Sequence, residues 1–152
     1  MQRLRSGEAT DSASLSDCKM MHVLLVEDSP TDVFMIREAM RRSPIPADVA
    51  IAYDGERALQ VLTALGRSRF DLVILDLNLP KVDGYQILQA YPVADGPPVV
   101  VFSGSESPSD KERAFELCAK DYVVKPAAFE AFILAVQGIL QRWCTDPPSM
   151  AV

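Results

Sequence analysis

The chain has 152 residues, and its 15 lysines and arginines against 21 aspartates and glutamates give a formal net charge of -6. This length, with 49% hydrophobic residues, predicts one folded domain. The acidic balance argues against nucleic acid as a direct partner, because phosphate contacts need a surface of lysine and arginine, and the apolar runs are too short to span a membrane.

The two ends of the chain differ from its middle. Residues 1–20 are rich in serine, threonine, glycine and aspartate and contain no apolar run, so we expect a disordered N-terminal tail. Residues 145–152 are expected to form a flexible C-terminal tail, which leaves residues 21–144 as the folded domain. The three cysteines are widely spaced and form no CxxC pair. We therefore expect reduced thiols in a cytoplasmic protein, although the sequence leaves a disulfide between two of them open.

Apolar segments alternate with amphipathic ones throughout the folded region. The apolar segments predict strands at residues 22–27, 48–53, 71–76, 97–105 and 120–126. Apolar residues at helical spacing predict helices at residues 33–42, 54–66, 85–91, 108–119 and 127–143. Most strands are apolar on successive residues, which is typical of strands covered on both faces. The order therefore predicts an α/β fold with a doubly wound five-stranded parallel sheet and five helices.

Helix starts and apolar faces follow from the same pattern. Asp28 or Ser29 is suited to cap the first helix, and a capping-type Ser109 is predicted to begin the fourth. The apolar positions of the first helix are predicted to be Phe34, Ile36, Ala39 and Met40. The buried face of the last helix is predicted to consist of Phe129, Phe132, Ile133, Val136 and Leu140.

Polar side chains follow four of the five predicted strands. The first strand ends in Glu27 and Asp28, the third in Asp76, the fourth in Ser103 and the fifth in Lys125. Each of these residues alone is most simply a turn former, a helix cap or a solvated surface residue. Ligand sites of such sheets, however, collect at the carboxyl ends of the strands. Their joint occurrence therefore predicts one functional site at that edge.

Clustered carboxylates and a lysine suit phosphoryl transfer to a carboxylate. The acids repel one another unless a hard cation neutralises them, and Mg²⁺ binds carboxylates together with water and phosphate oxygens. A carboxylate can act as the nucleophile and form an aspartyl-phosphate. A lysine and a hydroxyl group can then bind the phosphoryl oxygens.

Four motifs carry a resemblance to a known family: LLVEDS, LDLNLPKVDG, VVVFSG and DYVVKP. Together, in this order and spacing, they resemble the receiver domain of two-component response regulators, with a flavodoxin-like fold, over residues 22 to about 143. By this resemblance, Asp76 is the phosphoacceptor. Asp28 is a direct Mg²⁺ ligand, Glu27 acts on the metal mainly through water, and Asn78 supplies a backbone carbonyl.

The resemblance also implies residues that respond to the phosphoryl group. Ser103 would hydrogen-bond that group and Lys125 would pair with it. Tyr122 matches the switch aromatic, which moves inward when the hydroxyl residue is drawn to the phosphate. The implied activity is Mg²⁺-dependent acceptance of phosphate from a kinase phosphohistidine, with self-limited autophosphorylation and autodephosphorylation and no turnover of an external substrate.

A narrower resemblance concerns the partner. The segments EDSPTDVFMIREAM, LDLNLPKVDGYQIL and ILQRW resemble single-domain response regulators that pair with phytochrome-type histidine kinases. Members of that group often dimerise through the fourth helix, fifth strand and fifth helix, a face that would carry Phe115, Leu117 and Tyr122 here. The short C-terminal segment also predicts that the signal leaves by protein contact or onward phosphotransfer to a downstream protein, since no output domain follows.

Two other functions are alternatives to the phosphoacceptor. A receiver-like adaptor that works without phosphorylation is disfavoured, because only metal or phosphate chemistry explains the cost of the clustered acids. A haloacid-dehalogenase-type or flavodoxin-like phosphatase is disfavoured because Asn78 stands two residues after Asp76, where that phosphatase class has a second aspartate. The sequence also lacks the cap insertion of such enzymes.

Overall fold

The structure is a computed structural model that describes residues 20–64, 69–91 and 96–144. Apart from Met20, the two predicted tails lie outside these residues. The predicted end of the second helix, from residue 65 onward, lies outside them as well.

The described residues form a five-stranded parallel sheet in the order β2-β1-β3-β4-β5. The strands are β1 (Met21–Val26), β2 (Ala47–Ala52), β3 (Leu72–Leu75), β4 (Val99–Ser103) and β5 (Asp121–Val124). Every residue of β3 and β4 is buried, whereas the edge strand β2 is mostly half-buried. This difference explains why the central strands are apolar on successive residues, since both of their faces are covered.

One helix follows each strand among the described residues. The helices are α1 (Pro30–Arg42), α2 (Gly55–Ala64), α3 (Gly84–Ala90), α4 (Pro108–Glu116) and α5 (Phe129–Trp143). The predicted α/β class, the five-stranded parallel sheet and the five helices are confirmed. None of these helices is long and apolar enough to cross a membrane.

Two apolar clusters cover the two faces of the sheet. Helices α1 and α5 pack on one face, where Ile36, Phe102 and Phe132 are buried and the two aromatic rings meet edge to face with centroids 5.1 Å apart. Helices α2, α3 and α4 pack on the other face and bury Leu62, Ile87 and Ala114, among other residues. The chain therefore winds in both directions from β1, which is the topology that opens a crevice at the carboxyl edge of the sheet.

Two predicted apolar positions and one predicted cap are wrong. Helix α1 packs Val33, Ile36 and Met40 against the sheet. Phe34 lies about 100° around the helix from Val33, so its side chain points away from the sheet and is 64% exposed. Phe129 opens α5 and is also exposed, with the Arg42 guanidinium 5.6 Å from the centroid of its ring.

The cap of the fourth helix lies two residues before the predicted one. The Ser107 side chain, rather than Ser109, accepts the hydrogen bond from the Asp110 N–H and caps α4. Pro108 then occupies the first helical position, where its missing N–H costs no hydrogen bond. In α1, by contrast, Ser29 caps the helix as one of the two predicted residues.

Two glycines provide a matched test of packing. A Cβ on Gly55, at the start of α2, would lie 1.8 Å from the Val82 carbonyl oxygen in the β3–α3 loop. A Cβ on Gly138, within α5, would meet no atom within 4 Å. We expect Gly55→Ala to lower the free energy of unfolding by about 1–3 kcal/mol through overpacking. We expect Gly138→Ala to raise it by about 0.5–1 kcal/mol, because alanine loses less backbone entropy in a helix.

Urea unfolding of both variants beside the wild type measures the two effects. Equal shifts of the same sign for the two variants would contradict the close contact between α2 and the β3–α3 loop.

Candidate functional site

Backbone hydrogen bonds extend the sheet beyond its strands and hold the predicted site residues in register. Glu27 N–H donates to the Ala52 carbonyl at 3.1 Å, and Asp76 N–H donates to the Val26 carbonyl at 3.0 Å. Lys125 N–H donates to the Ser103 carbonyl at 2.8 Å. Backbone hydrogen bonds alone therefore fix the residues that follow β1, β3 and β5 at one edge of the sheet.

Three carboxylates meet at this edge. One oxygen from each of Glu27, Asp28 and Asp76 lies within 4.8 Å of the others. Glu27 is 1% exposed and Asp76 is 7% exposed, whereas Asp28 is open to solvent. Burial raises the pKa of Glu27 to about 7 against the opposing effect of Lys125. Burial likewise raises the pKa of Asp76, while Lys125 and the backbone of Asn78 oppose that change.

This donor set fits a divalent cation. Hard cations such as Mg²⁺ prefer carboxylate oxygens and keep several water or phosphate ligands. Two of the acids are buried and one is exposed, so a cation held among them would have protein oxygens on one side and solvent on the other. The Asn78 side chain is exposed, and its backbone hydrogen-bonds the Asp76 carboxylate.

The Lys125 ammonium group lies among acids from three elements. It donates to Glu27 Oε1 at 2.8 Å and to Asp32 Oδ2 at 2.7 Å, and it lies 3.7 Å from Asp76 Oδ1. Burial by itself would lower the pKa of Lys125, but the hydrogen bonds to Asp32 and Glu27 and the charge of Asp76 raise it. The ammonium group is therefore charged and partly neutralises the acids around it.

The sequence did not identify Asp32 as a site residue. It lies in the first turn of α1, where an acid is ordinarily explained by the partial positive charge of a helix N-terminus. No spacing in the sequence distinguishes Asp32 from such an acid.

Ser103 and Tyr122 are connected through Ser105. The Ser103 side chain is fully buried, and its Oγ accepts a hydrogen bond from the Ser105 N–H at 3.2 Å. The Tyr122 hydroxyl donates to the Ser105 carbonyl at 2.9 Å, and its ring is buried. The two predicted response residues thus share the β4–α4 loop as a common partner.

Asp110 anchors this loop from α4. Its Oδ2 accepts a hydrogen bond from Ser105 Oγ at 2.5 Å, and its Oδ1 accepts one from the Tyr85 hydroxyl at 2.6 Å. These bonds lower the pKa of Asp110, whereas burial and the adjacent carboxylate raise the pKa of Tyr85. The Arg113 guanidinium lies 4.0 Å from the centroid of the Tyr85 ring. Neither Tyr85 nor Asp110 was predicted, because they come from different helices and the sequence shows no spacing that links them.

The arrangement as a whole suits phosphate chemistry at a carboxylate. A buried carboxylate with a charged ammonium group and two further acids nearby offers a nucleophile, a cation and metal-binding oxygens in one crevice.

Comparison with known proteins decides the family. The family model described as the response regulator receiver domain matches residues 23–137. The chain belongs to the response regulator receiver domain family. Receiver domains are phosphoacceptor switches whose standard mechanism is phosphotransfer to an aspartate, and they bind a divalent metal. Membership therefore gives the chain a sensor kinase as its partner.

Two relatives illustrate the similarity. Response regulator Rcp1 of Synechocystis is 34% identical over 128 residues, which cover 80% of this chain and 87% of the relative. The crystal structure of its Mn²⁺-bound form has a TM-score of 0.72 at 32% identity and covers 82% of this chain and 95% of that chain. The crystal structure of the phosphorylated cyanobacterial phytochrome response regulator RcpA has a TM-score of 0.75 at 34% identity, covering 84% of this chain and 96% of that chain.

The Asp110 hydrogen bonds lead to a testable expectation for the β4–α4 loop of this receiver domain. Asp110→Ala removes the acceptor of both the Ser105 and the Tyr85 hydroxyl groups, so the loop loses its tie to α4. We expect amide hydrogen exchange at Ser105 to become several-fold faster, since local opening no longer breaks those bonds. The control is Glu112→Ala, which removes an exposed carboxylate from the same helix. Equal exchange rates in the two variants would show that Asp110 does not hold the loop.

Proposed function

We propose that Asp76 accepts a phosphoryl group from a kinase phosphohistidine in a Mg²⁺-dependent reaction. The observation that carries this proposal is the position of its buried carboxylate, 3.7 Å from the Lys125 ammonium group and beside oxygens of Glu27 and Asp28. A nucleophile in such a site meets positive charge where negative charge develops on the transferred group.

The proposed transfer is a single displacement at phosphorus. A carboxylate oxygen of Asp76 attacks the phosphorus atom, and the new O–P bond forms as the N–P bond to the kinase histidine breaks. The electron pair of that bond goes to the ring nitrogen, and the histidine leaves as neutral imidazole because the other ring nitrogen of the phosphohistidine carries a proton. The phosphoryl group is later removed by hydrolysis: water attacks the phosphorus, the O–P bond to Asp76 breaks, and inorganic phosphate departs from the regenerated carboxylate.

The same chemistry assigns proposed roles around the nucleophile. The carboxylates of Asp28 and Asp76 and the carbonyl of Asn78 would hold Mg²⁺ directly, and Glu27 would act on it through water. When bound, Mg²⁺ supplies positive charge that offsets the acids and the phosphoryl oxygens. Ser103 would donate its hydroxyl to the phosphoryl group.

Transmission of the signal is proposed to start from the Ser103 hydroxyl. In the structure its Oγ accepts from Ser105, whose carbonyl in turn accepts from Tyr122. A Ser103 that turns to the phosphoryl group would therefore release one bond of the loop that also holds Tyr122. The expected result is a changed surface at α4 and β5, to which a downstream effector or phosphotransfer protein would bind.

The sensor kinase is proposed to be of the phytochrome type. The support is the similarity to RcpA, which is described as a phytochrome response regulator, over 84% of this chain. We also propose that residues 21–144 form the complete receiver unit, within which the family match lies. Self-limited autophosphorylation from small donors and autodephosphorylation belong to this proposal, with no external substrate turned over.

Labelling with a small phosphodonor tests the phosphoacceptor directly. With Mg²⁺ and ³²P-acetyl phosphate, we expect the wild type to gain a label that hydroxylamine releases, as it does from an acyl phosphate. We expect no label with Asp76→Asn, because an amide oxygen is a poor nucleophile, and none when EDTA removes the metal. Asp48→Asn is the matched control, since it removes an exposed carboxylate from β2 and is expected to label like the wild type.

The labelling experiment also distinguishes the phosphoacceptor from the adaptor alternative. Label retained by Asp76→Asn would place the phosphoacceptor elsewhere. A wild-type protein that gains no label from acetyl phosphate or from phosphorylated kinases would instead fit a receiver-like adaptor that works without phosphorylation.

We also propose that phosphorylation promotes a homodimer through α4, β5 and α5. Phe115 on α4 is 47% exposed, and Leu117 is half-buried beside it. Tyr122, which was predicted to lie on this face, is instead buried with its hydroxyl on Ser105. An Asp121–Arg142 ion pair joins β5 to α5 along the same edge. The apolar contribution of this face therefore centres on Phe115.

Sedimentation with and without beryllofluoride measures the dimer. With Mg²⁺ and beryllofluoride, we expect the wild type to sediment as a dimer and Phe115→Lys to sediment as a monomer, because a lysine at the centre of the interface stays hydrated. Phe34→Lys is the control, since Phe34 is also an exposed phenylalanine but lies on α1, across the sheet from α4. A wild type that is monomeric under both conditions, or loss of the dimer in both variants, would refute the proposed interface.

A further inference from the structure

Lys125 uses two of its three N–H donors on acids other than Asp76. The bonds to Asp32 Oδ2 at 2.7 Å and Glu27 Oε1 at 2.8 Å are within hydrogen-bonding distance, whereas Asp76 Oδ1 at 3.7 Å is not. If Asp76 carries the phosphoryl group, as proposed above, the ammonium group must turn toward that group, and one of its present bonds weakens.

Burial indicates which bond is given up. The Glu27 side chain is 2% exposed, so bulk water has little access to replace the ammonium group as the partner of its carboxylate. The Asp32 side chain is 21% exposed, and water can replace Lys125 as its partner. The exchange at Asp32 is therefore the less costly of the two.

The position of Asp32 on α1 supports the same conclusion. Its N–H donates to the Ser29 Oγ at 3.3 Å in the first turn of the helix, where the partial positive charge of the N-terminus stabilises a carboxylate. The Asp32 carboxylate thus stays anchored and charged after Lys125 turns away. It also lies outside the group of Glu27, Asp28 and Asp76 oxygens that fits a metal ion.

We propose that Asp32 is the resting-state partner of Lys125 and competes with the phosphoryl group for its ammonium group. Asp32 is thereby a positioning residue, which acts through Lys125 and sets the affinity of the site for a phosphoryl group. This inference rests on the proposed role of Asp76.

Beryllofluoride binding to the full chain, measured by ¹⁹F NMR at saturating Mg²⁺, tests the competition. Asp32→Asn removes the charge but keeps an acceptor, and we expect it to tighten binding by about two- to fivefold, the upper part of the range for exposed ion pairs. Glu106→Gln is the control for charge alone, because Glu106 is an exposed acid in the β4–α4 loop at the same edge of the sheet. We expect it to change the affinity by less than about twofold.

The same two substitutions in a Lys125→Met background isolate the path through Lys125. There we expect Asp32→Asn to have no greater effect than Glu106→Gln, since no ammonium group remains to be released. Asp32→Ser provides a second variant, with a small polar residue in the first turn, should Asp32→Asn fold poorly.

Three results would overturn the inference. They are weaker binding by Asp32→Asn, an effect equal to that of Glu106→Gln, or a tightening that persists in full without Lys125. Each of these leaves the role of Asp76 standing as long as the wild type binds beryllofluoride and Asp76→Asn does not. A wild type that binds none overturns the proposed function and this inference together.

Discussion

Carboxylates repel one another more strongly as they leave water, and the carboxyl edge of this sheet gathers Glu27, Asp28, Asp32 and Asp76. The Lys125 ammonium group lies within 4 Å of a carboxylate oxygen of Glu27, Asp32 and Asp76. It ties β1, β3 and α1 to the end of β5 through its charge. The arrangement is costly to desolvate, and removal of either sign would leave buried charge without a partner.

Such a site can exist only on a rigid support. The backbone bonds from Glu27, Asp76 and Lys125 into neighbouring strands fix these residues to the sheet, so their side chains cannot drift apart to relieve repulsion. The fully buried strands β3 and β4 supply that rigidity from the apolar clusters on both faces. The apolar interior thus holds the charged edge in a geometry that the charges alone would not adopt.

Strand order makes part of the site predictable from the sequence, whereas contacts between helices leave no such signal. Glu27, Asp76 and Lys125 could be found because parallel strands end at one edge, so residues far apart in the chain share a place by topology. Asp32 and Asp110 could not, because an acid in the first turn of a helix has an adequate local explanation.

Phe34 and Phe129 were misassigned for a related reason. The spacing of apolar residues predicts a helix, but how that helix is rotated against the sheet decides which of its apolar side chains are buried.

The pairing of Tyr85 with Asp110 has a consequence for how the molecule can vary. Tyr85 follows Gly84, which packs against Leu77 next to Asp76, and Asp110 holds Ser105, which bonds to Ser103. The β3–α3 loop, which contains Asp76, and the β4–α4 loop are thereby joined through a hydrogen bond between α3 and α4. Exchange of this one polar pair would alter how tightly the two loops are coupled, while the carboxylates of Glu27, Asp28 and Asp76 stay in place.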